Sequence, residues 1–236
     1  MIGLYRAALS PILVHQASKT RSTMLHLPEA RGPRTGRFGE SGDVVAVRAL
    51  YVGDSTIAGV GVERQCEGMV AQSASFLHET IRRPVAWELI ARTGLTTRDA
   101  LDLVSRASLE PADLLVVSLG VNDVTSQRAP DAFHADYAEL IEYLVHRVSP
   151  RGVIVNGLPP FYISATPQPL RWYINAYGKR LDARLRALVA GDERLRYVSL
   201  EWATEPDDLA SDGFHPGPAM YQQWARLVAR CAASVS

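Results

Sequence analysis

The sequence predicts a three-layer α/β/α sandwich around a five-stranded parallel sheet, and three observations support this prediction. Short segments that are apolar on both faces alternate with longer segments of helical period, as in a parallel sheet covered on both sides. Polar motifs follow the first, third and fifth apolar segments, at the sheet edge where α/β proteins bind ligands. The chain has 236 residues, of which 47% are hydrophobic and 21% charged, and this suits one such domain.

Residues 1–43 are predicted to form an irregular N-terminal arm that precedes the α/β domain of residues 44–236. The arm carries three prolines, several glycines and scattered arginines and serines, with no sustained hydrophobic period. We therefore expect only one short helix in it, near residues 3–16.

Charge and hydropathy bear on partners and location. Basic and acidic residues both number 25, so the formal net charge is zero and no nucleic-acid partner is expected. No apolar run approaches the ~20 residues that span a bilayer. We expect a cytoplasmic protein. A weak signal-like segment after Arg6 leaves a secreted or periplasmic location open. The basic residues from Arg21 to Arg37 leave open a membrane contact through the arm.

The five strands are predicted from short apolar segments that end in turn residues. The first is rich in β-branched residues and ends before Gly53, the third is apolar except for Ser118, and the fourth closes at Pro159. They span residues 44–52, 84–91, 114–119, 153–158 and 197–200.

Five helices are predicted from apolar positions on one face and from terminal residues. Met69 and Leu77 mark the inner face of the first helix, Thr96 or Thr97 suits the N-cap of the second, and Pro218 suits the first turn of the last. The helices span residues 63–82, 96–108, 131–148, 170–189 and 218–233.

A serine follows the first strand, in Gly53-Asp54-Ser55. At a strand-to-helix transition its hydroxyl projects over the sheet edge, where free backbone N–H groups bind a developing negative charge. Gly53 permits a tight turn, and Asp54 is suited to bond nearby backbone and fix it. The alternative interpretation is a helix cap and a turn without chemistry.

A carboxylate and an imidazole lie three residues apart in Asp212-Gly213-Phe214-His215, within the loop after the fifth strand. A serine hydroxyl is a weak nucleophile until a base removes its proton. A carboxylate on the other imidazole nitrogen fixes the tautomer and stabilises the imidazolium. The alternative is a solvated loop with an incidental histidine.

Two further residues lie at the same predicted edge. Asn122, in Gly120-Val121-Asn122-Asp123 after the third strand, is placed to aim its side-chain amide at the region of Ser55. Gly94, after the second strand, offers a backbone N–H. Such donors stabilise an oxyanion, whereas in most loops Asn and Asp act as turn formers.

Taken in order, these motifs resemble the conserved blocks of the SGNH (GDSL-like) hydrolases. Block one is similar to Tyr51-Val52-Gly53-Asp54-Ser55, the block-two glycine to Gly94, block three to residues 120–123 and block five to Asp212-Gly213-Phe214-His215-Pro216. The resemblance covers about residues 44–233 and implies the flavodoxin-like fold of that family.

The resemblance also implies a role for each residue in cleaving an ester. Ser55 attacks the carbonyl carbon, while His215 acts as the base and then as the acid toward the leaving alcohol. Asp212 orients His215. The oxyanion lies between the Ser55 N–H, the Gly94 N–H and the Asn122 side chain.

The sequence departs from the family pattern at two positions, neither of which removes a catalytic group. Thr56 stands where the family has leucine, and Val121 replaces a glycine that many members have. Residues 27–34, Leu-Pro-Glu-Ala-Arg-Gly-Pro-Arg, are similar to a leader found in some bacterial members.

The substrate is expected to be a small-molecule acyl ester of short to medium chain length. Residues near the motifs, and aromatics in the proline-containing loop 161–173, would line its pocket: Asp54, Val121, Phe161, Tyr162 and Phe214. The aromatics are equally consistent with simple packing of that loop. The remaining histidines lack ligand spacing, so neither a metal site nor another cofactor is expected.

Two other functions stay open at this point. An acyltransferase or thioesterase would use the same Ser55, His215 and Asp212. A non-catalytic flavodoxin-like module would instead cradle a phosphate with Gly53-Asp54-Ser55, leaving Asp212, His215 and Asn122 without a joint purpose.

Overall fold

The computed structural model describes residues 2–40 and 45–235, so the predicted boundary at residues 43 and 44 lies outside the described residues. Within them the chain forms a six-stranded sheet of order β1-β3-β2-β4-β5-β6, in which β2 to β6 are parallel. The five predicted strands are confirmed with small shifts of their ends. Their bounds are β2 Val47–Gly53, β3 Val85–Ala91, β4 Leu114–Ser118, β5 Gly152–Asn156 and β6 Leu195–Val198.

Helices cover both faces of the sheet, as predicted. The described helices are α1 Ile2–Thr23, α2 Met69–Ile81, α3 Thr97–Ser105, α4 Val121–Thr125, α5 Pro130–Val148, α6 Leu170–Ala190 and α7 Pro218–Ala233. Residues of α2 and α7 share one hydrophobic core, and residues of α3, α5 and α6 share the other. The Thr96 side chain caps α3 by accepting from the Asp99 N–H, which satisfies one otherwise free donor.

The central strands are buried on both faces because their alternate side chains enter the two cores. In β2, Leu50 and Val52 belong to the core with α5 and α6, whereas Ala49 and Tyr51 belong to the core with α2 and α7. This period of two explains why the strands read as continuous apolar runs. Because β2, β3 and β4 are parallel, their carboxyl ends lie at one edge of the sheet.

The prediction of an irregular arm differs from the structure. Residues 35–38 form a short strand, β1 (Thr35–Phe38), which pairs antiparallel with β3 at the sheet edge. Close packing explains a glycine in it, because a Cβ at Gly36 would lie 2.6 Å from the ring of Trp87. An edge strand of four residues, none of them buried, gives little hydrophobic signal.

The helix of the arm is also longer than predicted, since α1 runs to Thr23. Leu13 is buried in the main core. The Gln16 side chain donates to the Gln168 carbonyl at 2.7 Å and accepts from the Leu170 N–H at 3.1 Å, which fixes α1 to the start of α6. In the part of the chain that the structure describes, no helix is both long and apolar enough to cross a membrane.

Candidate active site

Ser55 lies in the tight turn that follows β2. The turn requires Gly53, because a Cβ there would lie 2.6 Å from the Ser118 carbonyl oxygen and 2.2 Å from Ile57. Asp54 then accepts hydrogen bonds from the N–H and the hydroxyl of Thr56, both at 3.0 Å. These two hydrogen bonds within the turn stabilise it. The nearly buried Ser55 side chain lies at the carboxyl edge of the sheet.

The loop before α7 brings an imidazole to this serine. Nε2 of His215 lies 3.0 Å from Oγ of Ser55, although the two residues are 160 positions apart in the chain. On the other side of the ring, Nδ1 of His215 lies 2.5 Å from Oδ2 of Asp212. Ser55, His215 and Asp212 thus form one continuous chain of hydrogen bonds.

Asp212 is held in an orientation that suits an anion. Its side chain is fully buried, and its Oδ1 accepts from the N–H groups of Phe214 and His215 at 2.9 and 3.0 Å. Burial raises the pKa of this carboxyl, but the hydrogen bonds from the ring and backbone of His215 and from Phe214 outweigh it, so the pKa lies below its usual value. Asp212 is therefore ionised at neutral pH and able to stabilise an imidazolium.

The three residues predicted to supply oxyanion donors, Ser55, Gly94 and Asn122, line one cleft with His215. In the described chain, neither the Ser55 N–H nor the Gly94 N–H donates to a protein acceptor. Asn122 donates through its amide to the Leu95 carbonyl at 2.9 Å, while its contact with Asp54 is long, at 3.4 Å. One amide hydrogen thus fixes the side chain, and the other makes only the long bond to Asp54, which a closer substrate oxygen would replace.

Gly94 adopts a backbone conformation that explains the glycine. Its φ is +85°, and nothing lies within 4 Å of a Cβ built on it. The position is therefore open toward the cleft but strained for any other residue.

Asp123 connects α4, the short helix that carries Asn122, to the start of α3, three residues after Gly94. Its Oδ2 accepts from the N–H and hydroxyl of Thr97 at 3.0 and 2.9 Å. Among the described residues its Oδ1 has no hydrogen-bond partner, although Asp123 is completely buried. Burial raises the pKa of this carboxyl to about 6.

This raised pKa predicts how stability depends on pH. Because the folded state favours the protonated Asp123, the free energy of unfolding falls as the pH rises from the usual carboxyl value toward about 6. Asp123→Asn replaces the carboxyl with an uncharged amide, so the variant does not lose stability over this pH range. We expect the stability of the variant relative to wild type to rise between pH 4.5 and 7.5, by about 2 kcal/mol. Urea unfolding at both pH values measures it, and a difference that does not change with pH would contradict the assignment.

Two cavities meet at Ser55 and His215. One is a narrow, largely apolar cavity of about 60 Å³. The other is a broad cleft of about 1000 Å³, lined by polar and apolar side chains including those of Asn122 and Gln127 and by Gly94.

Four of the five residues predicted to contact substrate line the narrow cavity: Asp54, Val121, Phe161 and Phe214. The Asp54 carboxylate is at the same time bonded to Thr56. The structure corrects the prediction that Tyr162 contacts substrate, because Tyr162 is 48% exposed and lines neither cavity. The 3₁₀ turn Phe161–Ile163 points Phe161 and Ile163 inward and leaves Tyr162 outside.

Sequence reasoning missed the residues that α1 contributes to the cleft. Leu13, Ala17 and Arg21 of that helix line the same space as Ser55 and His215. Their spacing at i, i+4 and i+8 puts them on one face of a helix. This spacing is a signal in the sequence, but it has meaning only if the arm forms a long helix.

A nucleophile, a base and its carboxylate at the carboxyl edge of a parallel sheet, with N–H donors beside them, is the arrangement of a serine-type ester hydrolase. A family model for the GDSL-like lipase/acylhydrolase family matches residues 51–223, a range that includes all of these groups. The chain belongs to this family, which confirms the resemblance to SGNH hydrolases, and it is an ester-hydrolysing enzyme.

Solved structures agree with the fold. A lipase/acylhydrolase from Enterococcus faecalis is 21% identical with a TM-score of 0.64, over 80% of this chain and 96% of that one. TesA has the same identity and TM-score, over 80% and 99%. An acetylxylan esterase from Geobacillus stearothermophilus is 21% identical with a TM-score of 0.55, over 78% and 93%. A search of curated protein sequences found no match.

Proposed function

We propose that the enzyme hydrolyses carboxylic esters of short acyl groups through an acyl-serine intermediate on Ser55. The observation that carries this proposal is the hydrogen-bond chain in which His215 Nε2 lies 3.0 Å from Ser55 Oγ and its Nδ1 lies 2.5 Å from Asp212. This geometry is the one needed to remove a proton from a serine hydroxyl.

The reaction proceeds in two halves. Ser55 Oγ attacks the carbonyl carbon while its proton moves to His215 Nε2, and the carbonyl oxygen becomes an oxyanion. His215 then gives this proton to the leaving alkoxide, which departs as the alcohol. In the second half, water attacks the acyl-serine as His215 takes a proton from it. The ester bond to Ser55 breaks, and the proton returns to Oγ.

The Ser55 N–H, the Gly94 N–H and the amide hydrogen of Asn122 that makes only the long bond to Asp54 bind the oxyanion in both halves. Donors fixed in advance need no reorganisation when the charge develops, and this is why they lower the barrier. No step of this sequence calls on a group outside the chain other than the ester and water.

The two cavities suggest how the substrate is oriented. The narrow cavity of about 60 Å³ is small, and its apolar walls favour a short acyl chain over an alcohol. The cleft of about 1000 Å³ accommodates a larger leaving group with polar parts. The preferred substrate is thus a short acyl ester of a bulky alcohol.

Hydrolysis of p-nitrophenyl esters from acetate to palmitate tests this proposal. We expect kcat/KM to be highest for acetate to butyrate and to fall about 10-fold or more by octanoate, because each methylene beyond the cavity loses its buried contacts and meets the wall. An optimum at octanoate or longer would place the acyl chain in the cleft instead. Rates no higher than the uncatalysed ones on every ester would contradict the proposal.

A pair of neighbouring variants sharpens this test. Ile163 lines the narrow cavity and Tyr162 does not. Ile163→Ala is expected to move the optimum toward longer chains, and Tyr162→Ala to leave it unchanged. The same optimum in both variants would mean that this cavity does not hold the acyl group.

Acyl transfer to an alcohol is an alternative outcome for the same residues, since the broad cleft has room for an acceptor. Product analysis with added glycerol distinguishes the two, because hydrolysis gives the free acid and transfer gives a new ester. A non-catalytic phosphate-binding module finds no support, since the Ser55 hydroxyl is paired with an imidazole.

A further inference from the structure

The segment of residues 27–34, here called the N-terminal strap, lies outside the range matched by the family model and is bonded to the loop after Ser55. The Ala30 N–H donates to the Ala58 carbonyl at 3.1 Å, and the Arg31 N–H donates to the Glu63 carbonyl at 2.8 Å. The Arg31 carbonyl in turn accepts from the Gln65 N–H at 2.9 Å. The strap is thus fixed to the loop that carries the first oxyanion donor.

On its other side the strap holds the loop that carries the second donor. Oε1 of Glu29 accepts from the Thr93 N–H at 2.7 Å and from the Thr93 hydroxyl at 2.9 Å. The other carboxylate oxygen is paired with Arg34, whose guanidinium also donates to the Ala91 carbonyl at 2.6 Å. Arg34 therefore aims the Glu29 carboxylate at Thr93.

The turn before Gly94 has few other supports. Arg92, Thr93 and Gly94 are all exposed, and the hydrogen bond within the turn, from the Leu95 N–H to the Arg92 carbonyl, is long at 3.4 Å. The contact with Glu29 is thus the short, charge-assisted one that fixes the Thr93 backbone. The peptide that bears the Gly94 N–H begins at Thr93.

We propose that Glu29 is a positioning residue for the oxyanion hole, acting through Thr93 on the Gly94 N–H; this inference rests on the proposed function. The strap connects the loops of Ser55 and Gly94 and sets the distance between their two backbone donors. Glu29 does not touch the reacting atoms. Its effect is to keep a donor in place that an exposed loop would otherwise let move.

A positioning role predicts a loss in kcat with little change in KM, because the oxyanion exists only after attack. Loss of an oxyanion donor costs about 10²–10³-fold in kcat, and a donor that is displaced only part of the time costs less. We expect Glu29→Ala to lower kcat for p-nitrophenyl acetate about 10-fold and to change KM less than about 3-fold. Glu29→Gln keeps an acceptor for Thr93 and is expected to restore most of the rate.

The matched control is Asp192→Ala. Asp192 is also a partly exposed carboxylate paired with an arginine, and it accepts from the Arg194 N–H at 2.9 Å, but it precedes β6, far from the carboxyl edge of the sheet. This variant is expected to keep the wild-type kcat. Should Glu29→Ala fail to fold, Glu29→Asp gives the same test, because its carboxylate is one methylene short of Thr93.

A second readout separates positioning from general loosening. An aryl trifluoromethyl ketone forms a hemiketal oxyanion on the serine, so its Ki is expected to rise in Glu29→Ala by the same factor as kcat/KM falls. Equal kcat and Ki in Glu29→Ala, Asp192→Ala and wild type would overturn the role of Glu29 while leaving the proposed function intact. Full activity in Ser55→Ala would overturn the proposed function, and with it this inference.

Discussion

Ser55→Ala is expected to lower kcat/KM for p-nitrophenyl acetate by about 10³-fold or more. The methyl group has no oxygen to attack the carbonyl, and His215 then has no proton to remove at 3.0 Å. The residual rate would come from the oxyanion donors and from substrate binding, which remain. The release of p-nitrophenolate by the purified variant, followed spectrophotometrically, measures kcat/KM.

The control for this variant is Ser105→Ala, since Ser105 is an exposed serine at the end of α3. Both variants are expected to keep the wild-type melting temperature within a few degrees, because neither removes buried apolar volume. A Ser55→Ala enzyme that hydrolyses the ester at more than a tenth of the wild-type rate would exclude Ser55 as the nucleophile.

Asn122→Ala is expected to lower kcat by about 10²–10³-fold, with a much smaller change in KM. The substitution removes the amide hydrogen available to the oxyanion and also the 2.9 Å bond that holds the side chain against the Leu95 carbonyl. Because the developing charge is absent from the bound ester, the loss falls on the chemical step.

Asn122→Asp tests the sign of the interaction at constant size. It replaces the amide with a carboxylate beside Asp54 and an incipient oxyanion, so the loss in kcat is expected to equal or exceed that of Asn122→Ala. If either variant stays within about 3-fold of the wild-type kcat while folding normally, Asn122 is not an oxyanion donor.

The parallel sheet could be predicted because its strands are apolar on both faces. Leu114–Ser118 is buried at every position, and such a run fits only an inner strand between two layers. The gathering of Ser55, Asn122 and His215 followed from this, since Ser55 and Asn122 lie just beyond the carboxyl ends of β2 and β4 and His215 lies in the loop after β6. The catalytic edge could therefore be predicted from the sequence.

The N-terminal arm could not be predicted in the same way because its burial is local. In α1, Leu13 is buried while its neighbours Ile12 and Val14 are 48% and 66% exposed, so the apolar residues show no clean helical period. The different burial of Phe161 and Tyr162 could not be predicted for the same reason, because a single 3₁₀ turn decides which of the two aromatic side chains faces the cavity. The role of Glu29 depends on a contact with Thr93, 64 residues away, which no local pattern indicates.

Covalent labelling with a fluorophosphonate tests the central claim most directly, because this reagent phosphonylates a serine only where a base and an oxyanion hole activate it. Intact mass and peptide mapping are expected to give one adduct on the peptide that contains Ser55, with no adduct in Ser55→Ala and a much slower reaction in His215→Ala. An adduct on another residue, or equal labelling of Ser55→Ala, would contradict the assignment of Ser55 as the nucleophile.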